Sequence, residues 1–205
     1  MNDPKQDLID AAGPLFAEKG FDSTTVREIS DRAQANQAAI NYHFRDKKQL
    51  YIACVRQASQ SCMDRAPIPL DLATIPPAAA LKTFVQRFLQ RVAVDHEPAW
   101  HAQLLMREMQ WPTEACQEFV EVHVKPTFNI LKQILEKLLP QSMSEQKKML
   151  IGFSIVGQIL HYRSARPVVH MLMGKQLFAA FDVETLTEHI TQFSLAAIHS
   201  LNHTC

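Results

Sequence analysis

Signals that begin a helix recur at short spacing near the start of the chain, and they limit what this segment can fold into. Thr25 and Asp46 each stand three residues before a glutamate or glutamine, as in a capping box. Asp3 precedes Pro4, and Asn36 lies between the two boxes, so both are also placed to cap a helix. The spacing predicts four helices, of which the second and third have room for only about two turns each.

The apolar residues of the first three helices are spaced so that the helices can pack on one another. In the first helix they form one stripe, which comprises Leu8, Ile9, Ala12, Leu15 and Phe16. The next two helices contribute Val26, Ile29, Ala33, Ile40 and Phe44. Gly20 is expected just past the end of the first helix, where glycine is common. Because proline lacks an N–H donor, we also predict a kink in this helix at Gly13-Pro14.

Glycine is scarce, with 5 in 205 residues, and few stretches alternate apolar with polar residues. Both observations favour a mostly helical chain with short connections. Prolines cluster between residues 67 and 77, and longer amphipathic segments follow this cluster. We therefore predict an all-α protein with a three-helix helix-turn-helix domain over residues 1–55 and a larger helical domain over residues 56–205.

The segments after the proline cluster have the three-four spacing of amphipathic helices. We expect helices near residues 78–95, 99–110, 113–124, 127–139, 144–164 and 183–201. Prolines fall at or near the ends of most of these segments, where a residue without an N–H does least harm. Residues 168–180 show no clear period and fit short helical turns.

Two short helices joined by a tight turn have the shape of a helix-turn-helix, whose second helix enters the major groove of DNA. The third predicted helix leaves four residues mostly on its outward side: Gln37, Ala38, Asn41 and Tyr42. Gln and Asn pair bidentately with adenine, and Ala packs on a thymine methyl. The whole chain has no net charge, but residues 24–56 hold six basic residues, Arg27 among them, against three acidic ones. This local excess lies where phosphates would pass.

Three stretches of the N-terminal unit resemble the TetR family of bacterial one-component repressors. They are LFAEKGF at residues 15–21, TTVREI at 24–29 and NYHFRDKKQL at 41–50. The resemblance implies a homodimer that binds double-stranded DNA at a palindromic operator. Ala33-Gln34 stands where the family has a small residue followed by glycine, and Asn41 stands where a tyrosine is common. The family's base preference is therefore not carried over.

The resemblance also implies which residues touch the DNA. Residues 37–43 correspond to the recognition helix. Phosphates would be met at the start of the second helix by Thr24 and Thr25, and the DNA backbone would be clamped by Tyr42, His43 and Lys47.

The C-terminal part resembles the subgroup of TetR-family regulators related to the enterobacterial regulator CecR. The residues that carry this resemblance are Arg107-Glu108-Met109, Trp111-Pro112-Thr113 and Val124-Lys125-Pro126. The resemblance implies a helical domain that dimerises and senses a small molecule. With the N-terminal motif, it completes the expected architecture, a DNA-binding domain followed by a ligand-binding and dimerisation domain.

Aromatic and methionine side chains in this domain suit a pocket for an apolar or amphipathic effector. The candidate ligand-binding residues are Phe84, Phe88, Met106, Arg107, Met109, Trp111, Phe119 and His123. Polar groups that face inward would orient a ligand, and Glu108 and Gln110 lie near this set too. The alternative is that the apolar residues are ordinary core and that the polar ones are solvated or form ion pairs.

Two long segments near the C-terminus carry apolar stripes that fit a four-helix interface between two subunits. The stripes are Met149, Ile151, Ile155, Ile159 and Leu160 in one helix, and Leu186, Ile190, Phe193, Ala197 and Leu201 in the other. The alternative is that both stripes pack within one subunit.

No catalytic or metal-binding pattern stands out. The sequence has no glycine-rich phosphate loop, G-x-S-x-G elbow or H-E-x-x-H pair. His199 and His203 share a helix face, but no cysteine or carboxylate joins them within the same turn. We expect no enzymatic activity, no cofactor and no metal.

The sequence also has no apolar run of about 18 residues, so no membrane span is expected. The four cysteines form no C-x-x-C pair and no signal peptide opens the chain, which indicates the cytoplasm. The sequence therefore predicts a transcriptional repressor that an effector releases from its operator. Two alternatives are a helical protein-interaction module without operator specificity and an enzyme that uses the C-terminal cavity.

Overall fold

The computed structural model describes residues 3–92 and 98–204, and within them the regular structure is helical, without a β-strand. The α-helices are α1 (Pro4–Lys19), α2 (Val26–Ala33), α3 (Gln37–Phe44), α4 (Lys47–Arg65), α5 (Pro77–Val92), α6 (Trp100–Gln110), α7 (Glu114–Phe119), α8 (Lys125–Leu138), α9 (Glu145–Ser164), α10 (Arg166–Ala179) and α11 (Val183–Thr204). A short 3₁₀ helix, Leu70–Thr74, precedes α5. The predicted all-α fold is confirmed, although the expected end of α5 at residues 93–95 lies outside the described residues.

The predicted helix starts in the N-terminal region are confirmed by the hydrogen bonds of their capping side chains. Asp3, Asn36 and Asp46 each accept a backbone N–H from two or three residues ahead, at 2.8–3.0 Å. Gly20 follows the last residue of α1 with φ 84°, and its N–H donates to the Phe16 carbonyl at 2.9 Å. Short-range side-chain chemistry therefore sets where these helices begin and end.

Contacts group the chain into two compact units, and the described part of the first comprises residues 3–64 and 98–123. It holds α1 to α4 together with α6 and α7. Its buried apolar residues come from several helices and include Phe16, Ile29, Ile40, Leu50 and Leu104. This grouping reflects contacts alone, and the sequence-based boundary between residues 55 and 56 stays a prediction.

Gly13 lies where α1 and α6 approach closely. A Cβ atom at this position would come within 2.6 Å of the buried Trp100 ring. Only glycine fits at this position, because the indole ring leaves no room for a side chain. α1 continues through Pro14 as one helix. The predicted kink at Gly13-Pro14 stays a prediction.

The second unit, whose described part comprises residues 65–92 and 124–204, has its own core. Buried apolar side chains of α5, α8, α9 and α11 meet there. The most completely buried are Ala80, Leu81, Phe84, Val85, Leu89, Leu131, Ile134, Ile155, Ile159 and Ile190. This core includes members of both stripes that were predicted to lie between subunits.

The predicted single helix over residues 113–124 is wrong in its second half. α7 ends at Phe119 and a π-helix, Val120–Val124, leads into α8. In a regular helix the Pro126 ring would clash with the carbonyl four residues earlier, that of Val122, and would offer it no N–H. A wider turn before this proline accommodates both effects.

α10 occupies the segment that showed no clear period in the sequence. The helix is interrupted at Gly174, which has φ 76° and ψ 162°. Large apolar side chains on α10 are exposed, namely Val168, Met171, Leu172 and Leu177. Even so, none of the helices described here is both long and apolar enough to cross a membrane.

Candidate nucleic-acid interface

α3 presents to solvent the four residues predicted to face outward. Ile40 and Phe44 are buried and anchor the helix. On the opposite side Gln37, Ala38 and Asn41 are exposed. Tyr42 is 85% exposed, and its ring meets the His43 ring edge to face at 5.0 Å. The exposed side of α3 therefore combines amides with an aromatic ring, which are groups that contact bases and the DNA backbone.

The turn between α2 and α3 is tight because Gln34 adopts the left-handed conformation, with φ 52° and ψ 36°. This is the conformation that glycine adopts readily, and Gln34 stands where the related family has glycine. The N–H of Ala35 then donates to the Ser30 carbonyl at 3.0 Å. Arg45, between α3 and α4, also has a positive φ, of 72°. Both ends of α3 are thus set by backbone turns that carry strain.

The start of α2 is held by the predicted capping box. Thr25 accepts the N–H of Glu28 at 3.2 Å, and the Glu28 carboxylate accepts the N–H of Thr25 at 2.8 Å. Lys19 pairs with Glu28 at 2.6 Å. The hydrogen bond from Lys19, followed by those from Thr25, lowers the pKa of Glu28 to about 2. Thr25 is exposed and lies at the helix N-terminus, as a phosphate contact requires.

Thr24 does not have the predicted position of a phosphate-contacting side chain. It is 0% exposed, and its hydroxyl donates to the Gly20 carbonyl at 2.8 Å and to the Leu15 carbonyl at 3.3 Å. A hydroxyl buried in this way fastens the end of α1 to the start of α2. In this position the hydroxyl is not exposed to a phosphate, unlike that of Thr25.

The Lys47 ammonium is also engaged inside the protein. It donates to the carbonyls of Phe21 and Thr24, both at 2.9 Å. It lies 4.4 Å from the centre of the Phe21 ring, a cation–π contact. Lys47 therefore joins the first turn of α4 to the connection between α1 and α2.

The positive charge near α3 is smaller than the local sequence suggested. Lys48 pairs with Glu114 at 2.5 Å, and Arg56 makes two hydrogen bonds to Glu118 at 2.8 and 2.9 Å. These contacts lower the pKa of Glu118. The two carboxylates lie on α7, far away in sequence, and they offset two of the three excess positive charges counted over residues 24–56.

Between residues 3 and 65, five basic side chains remain exposed outside these two ion pairs: Lys5, Lys19, Arg27, Arg32 and Arg45. Arg27 lies 3.8 Å from Asp31, at the long end of the range for an ion pair. Lys5, which was not among the predicted DNA-binding residues, lies 5.4 Å from the Phe44 ring of α3. Its position in the first turn of α1 gives no signal in the sequence, because only the packing of α1 brings it near α3.

The predicted ligand-binding residues do not come together in one unit. Phe84 and Phe88 belong to the second unit, where Phe84 is fully buried in the core. The remaining candidates belong to the first unit: Met106, Arg107, Met109, Trp111, Phe119 and His123. Met109 and Trp111 are 44% and 64% exposed. Of the cavities within the described part of either unit, one is lined by two of these residues, Phe119 and His123.

Two cavities of the first unit lie near α7. One, of about 10 Å³, is lined by Phe119 and His123 among others and has room for about one water molecule. The other, of about 150 Å³, is lined by Phe21, Lys48, Tyr51, Ile52, Thr113, Glu114 and Ala115. Pockets for drug-sized ligands are larger, at about 300–1,000 Å³.

Among the described residues, no group of three or more His, Cys, Asp or Glu side chains is arranged to hold a metal ion. The side chain of His203 lies outside the described part of the chain.

Two regions of the chain match models of known families. Residues 77–198, more than half of the chain, match the model described as HTH-type transcriptional dual regulator CecR, C-terminal domain. Residues 8–54 match the model described as bacterial regulatory proteins, tetR family.

Individual proteins agree with these matches. The HTH-type transcriptional dual regulator CecR of Shigella flexneri is 26% identical over 197 residues, which are 92% of this chain and 86% of that protein. The biofilm operon icaADBC HTH-type negative transcriptional regulator IcaR of Staphylococcus aureus is 38% identical over 60 residues, 29% of this chain and 30% of the relative. The crystal structure of AibR in complex with isovaleryl coenzyme A and operator DNA superposes with a TM-score of 0.65 at 14% identity, covering 93% of this chain and 97% of AibR. That likeness shows a shared fold.

Proposed function

This chain belongs to the TetR family of bacterial DNA-binding transcriptional regulators, and we propose that it is a homodimeric repressor which a small-molecule effector releases from a palindromic operator. The observation that carries the proposal is the exposed side of α3. Gln37, Ala38 and Asn41 stand on a helix whose other side is buried, so they are free to enter a major groove. The protein is a regulator and not an enzyme.

The roles of the predicted DNA-binding residues divide into two groups. Gln37, Ala38 and Asn41 read base edges, because amides pair with adenine and a methyl group packs on thymine. Backbone contacts come from Thr25, Arg27, Tyr42 and His43, which fix the protein on the duplex without reading sequence. Thr24 and Lys47 support these contacts from inside the protein by holding the start of α2.

A homodimer is supported by an exposed apolar face on α9 and α11. Leu150 and Phe153 on α9 are 59% and 56% exposed, and Phe193 on α11 is 60% exposed. A groove of about 460 Å³ lies on this face, lined by Gly157, Gln158, His161, Tyr162, His189 and Phe193. The predicted interface residues Ile155, Ile159, Leu186 and Ile190 are instead buried within the subunit. We place the interface on the neighbouring exposed face of the same two helices.

Release by an effector is supported by the domain match and by AibR, whose structure holds both an acyl coenzyme A and operator DNA. An effector shifts the population of the regulator only if it binds the DNA-incompetent state more tightly, with a typical coupling of about 1–3 kcal/mol. Of the predicted ligand residues, Met106, Phe119 and His123 remain the best candidates. Phe84 is core, and Arg107 has the internal role described in the next section.

Repression requires only that the protein occupy its operator, since an occupied operator excludes other proteins from the same DNA. The name of IcaR describes a negative regulator and that of CecR a dual regulator. We therefore propose repression as the default effect, with activation at some promoters as an outcome that reporter assays would reveal.

Substitutions on α3 test operator reading. Asn41→Ala should cost about 1–3 kcal/mol at the base pair that Asn41 contacts and relax the preference there. Tyr42→Ala should instead weaken binding to every sequence by a similar factor. Both variants are titrated against single-base variants of a site selected from random duplexes. A uniform loss for Asn41→Ala across all sites would remove the specificity assignment.

The dimer is tested separately by sedimentation. Phe193→Glu places a charge on the exposed face of α11 and should convert the dimer to monomers, because a buried unpaired charge is costly. Leu177→Glu on α10, also at an exposed apolar residue, is the control and should leave the dimer intact. A Phe193→Glu protein that sediments as a dimer would move the interface elsewhere.

A further inference from the structure

Two adjacent residues at the end of α6 bind two different helices of the first compact unit. Arg107 donates to carbonyls at the C-terminus of α1, those of Lys19 at 3.1 Å and Glu18 at 3.5 Å. Glu108 accepts a hydrogen bond from the hydroxyl of Tyr51 on α4. Arg107 and Glu108 belong to the motif that carries the C-terminal resemblance. The motif is therefore in contact with helices of the DNA-binding region.

The contact of Arg107 is built into the end of α1. The last carbonyls of a helix have no partner within it and carry partial negative charge, which a guanidinium complements. Gly20 makes room for this side chain, since a Cβ atom there would lie 2.5 Å from Nη2 of Arg107. The guanidinium also lies 5.4 Å from the centre of the Trp111 ring. Arg107 thus caps α1 directly beside Gly20, whose φ of 84° is itself a conformation that favours glycine.

The contact of Glu108 is fully buried. The residue is 0% exposed, and beyond the Tyr51 hydroxyl it accepts the N–H and the hydroxyl of Thr113, at 2.7 and 2.8 Å. The Tyr51 ring is fixed by edge-to-face contacts with Phe16 and Phe21, at 4.9 and 5.2 Å. Burial, together with the bond to Glu108, raises the pKa of Tyr51. The hydroxyl therefore stays protonated and acts as the hydrogen-bond donor to Glu108. This carboxylate joins α4, the end of α6 and the start of α7.

We propose that Arg107, Glu108 and Thr113 form a latch with Tyr51, and that this latch keeps α1 and α4 fixed on α6 and α7 within the first unit, as binding of both halves of a two-fold operator requires. The proposal rests on the function proposed above. Its residues are positioning residues, since none is placed to touch DNA in that proposal. It also assigns the Arg-Glu motif to a structural contact with α1 and α4, in place of the effector pocket predicted for Arg107.

Loss of the latch should change DNA binding in a way that a general loss of stability would not. A palindromic operator is bound tightly because, once one recognition helix is bound, the second is at a high local concentration near its half-site. This advantage is lost when the position of the second helix is not fixed. A duplex with a single half-site gains no such advantage. Loosening the latch should therefore weaken binding to the full operator much more than binding to a half-site.

Tyr51→Phe is the sharpest test, because it removes only the hydroxyl and keeps the ring between Phe16 and Phe21. We expect affinity for the full operator to fall about tenfold, a small part of the usual gain from bivalent binding. Half-site affinity should change by less than about twofold. Arg107→Lys, which keeps the charge but loses the two-pronged contact, should act in the same direction. Gln103→Ala, at an exposed position of α6, is the matched control and should change neither affinity.

Equal losses on the full operator and the half-site would overturn the latch, because they would report a general defect in folding or charge. No loss on either would overturn it as well. Combining Tyr51→Phe with Glu108→Gln should cost no more than the worse single change, since both break one contact. Additive losses would contradict a shared contact.

Hydrogen exchange of the DNA-free protein tests the latch independently of the proposed repressor function. If wild-type protein selects no symmetric site, the proposed repressor function fails, and the latch is then judged by exchange alone. Faster exchange of Trp100–Gln110 and of the end of α1 in Tyr51→Phe than in wild type would support the contact as the element that holds these helices together. Unchanged exchange would overturn it.

Discussion

At the scale of single residues, the strained turn before α3 carries a measurable cost. Gln34 holds φ 52°, where a side chain crowds the backbone and glycine does not. Gln34→Gly should therefore stabilise the protein by about 0.5–1 kcal/mol, after allowing for the greater freedom of glycine in the unfolded chain. The measurement is unfolding in urea. Gln34→Ala, which keeps a Cβ, should show no such gain, and destabilisation by the glycine variant would contradict the strain.

The capping box predicts a pH dependence of stability at a second residue. The pKa of Glu28 lies at about 2, below its ordinary 4.5, so the folded state prefers the carboxylate. Its stabilising contribution is present above about pH 4.5 and disappears as the pH falls through 2. Glu28→Gln should flatten the decline in unfolding free energy over this range, measured by urea unfolding from pH 6 to pH 2. Asp31→Asn is the control, and an identical decline in wild type and Glu28→Gln would refute the assignment.

Residues that cap a helix in a regular pattern were predictable, and residues that hold the irregular α1–α2 connection were not. Thr25 and Asn36 cap helices through groups two or three positions ahead, so a local pattern identifies them. Thr24 and Lys47 were expected to contact phosphates by resemblance. Thr24 instead donates to the Gly20 carbonyl, and Lys47 donates to the Phe21 carbonyl, both in the connection between α1 and α2. The sequence holds no local signal of that arrangement.

At the scale of helices, the approach of α1 to α6 depends on the missing side chain of Gly13. Gly13→Ala should destabilise the protein by about 1–3 kcal/mol, because the new Cβ would overlap the Trp100 ring. An ordinary glycine-to-alanine change inside a helix would stabilise by about 0.5–1 kcal/mol, so the two accounts differ in sign. In a Trp100→Leu background the cost should shrink. Urea unfolding of the four proteins checks both statements.

Helix α7 carries acidic residues that form ion pairs with basic residues of α4. Removing the charge of Glu114 frees Lys48 at the start of α4, so Glu114→Gln should raise affinity for duplex DNA about threefold at 0.1 M salt. The slope of log affinity against log salt should steepen, by about 0.9 if Lys48 then contacts one phosphate. Titrations at several salt concentrations measure both. Glu136→Gln, on α8 of the other unit, should change neither, and an unchanged Glu114→Gln protein would show that the pair does not mask Lys48.

Proline and capping patterns predicted where the helices lie, but they did not predict that one segment forms a π-helix. Pro126 was expected to separate two helices, yet the chain passes through the π-helix Val120–Val124 instead of breaking. Apolar periodicity likewise identified α9 and α11 but not which of their apolar residues are buried within the second unit. Ile155 and Ile190 satisfy the core of one subunit, and the exposed Phe153 and Phe193 were distinguishable from them only once the helices were packed.

At the scale of the whole molecule, family resemblance predicted the architecture but not its internal contacts. The sequence assigned Arg107 and His123 to an effector pocket because they lie near aromatic residues along the chain. In the folded protein Arg107 caps α1, and the candidate ligand residues divide between two compact units. Proximity in sequence does not reveal which residues enclose a cavity, since a cavity is formed by helices that are distant along the chain.

As proposed, a dimer of this protein reads a two-fold symmetric operator through α3. The most direct measurement is selection from random-sequence duplex DNA by the wild-type protein, followed by titration of the selected site at several salt concentrations. The account predicts one symmetric sequence, bound about a thousandfold or more tighter than competitor DNA. Weak binding without a consensus, lost as salt rises, would contradict it and would favour a helical interaction protein that has kept the fold without its operator.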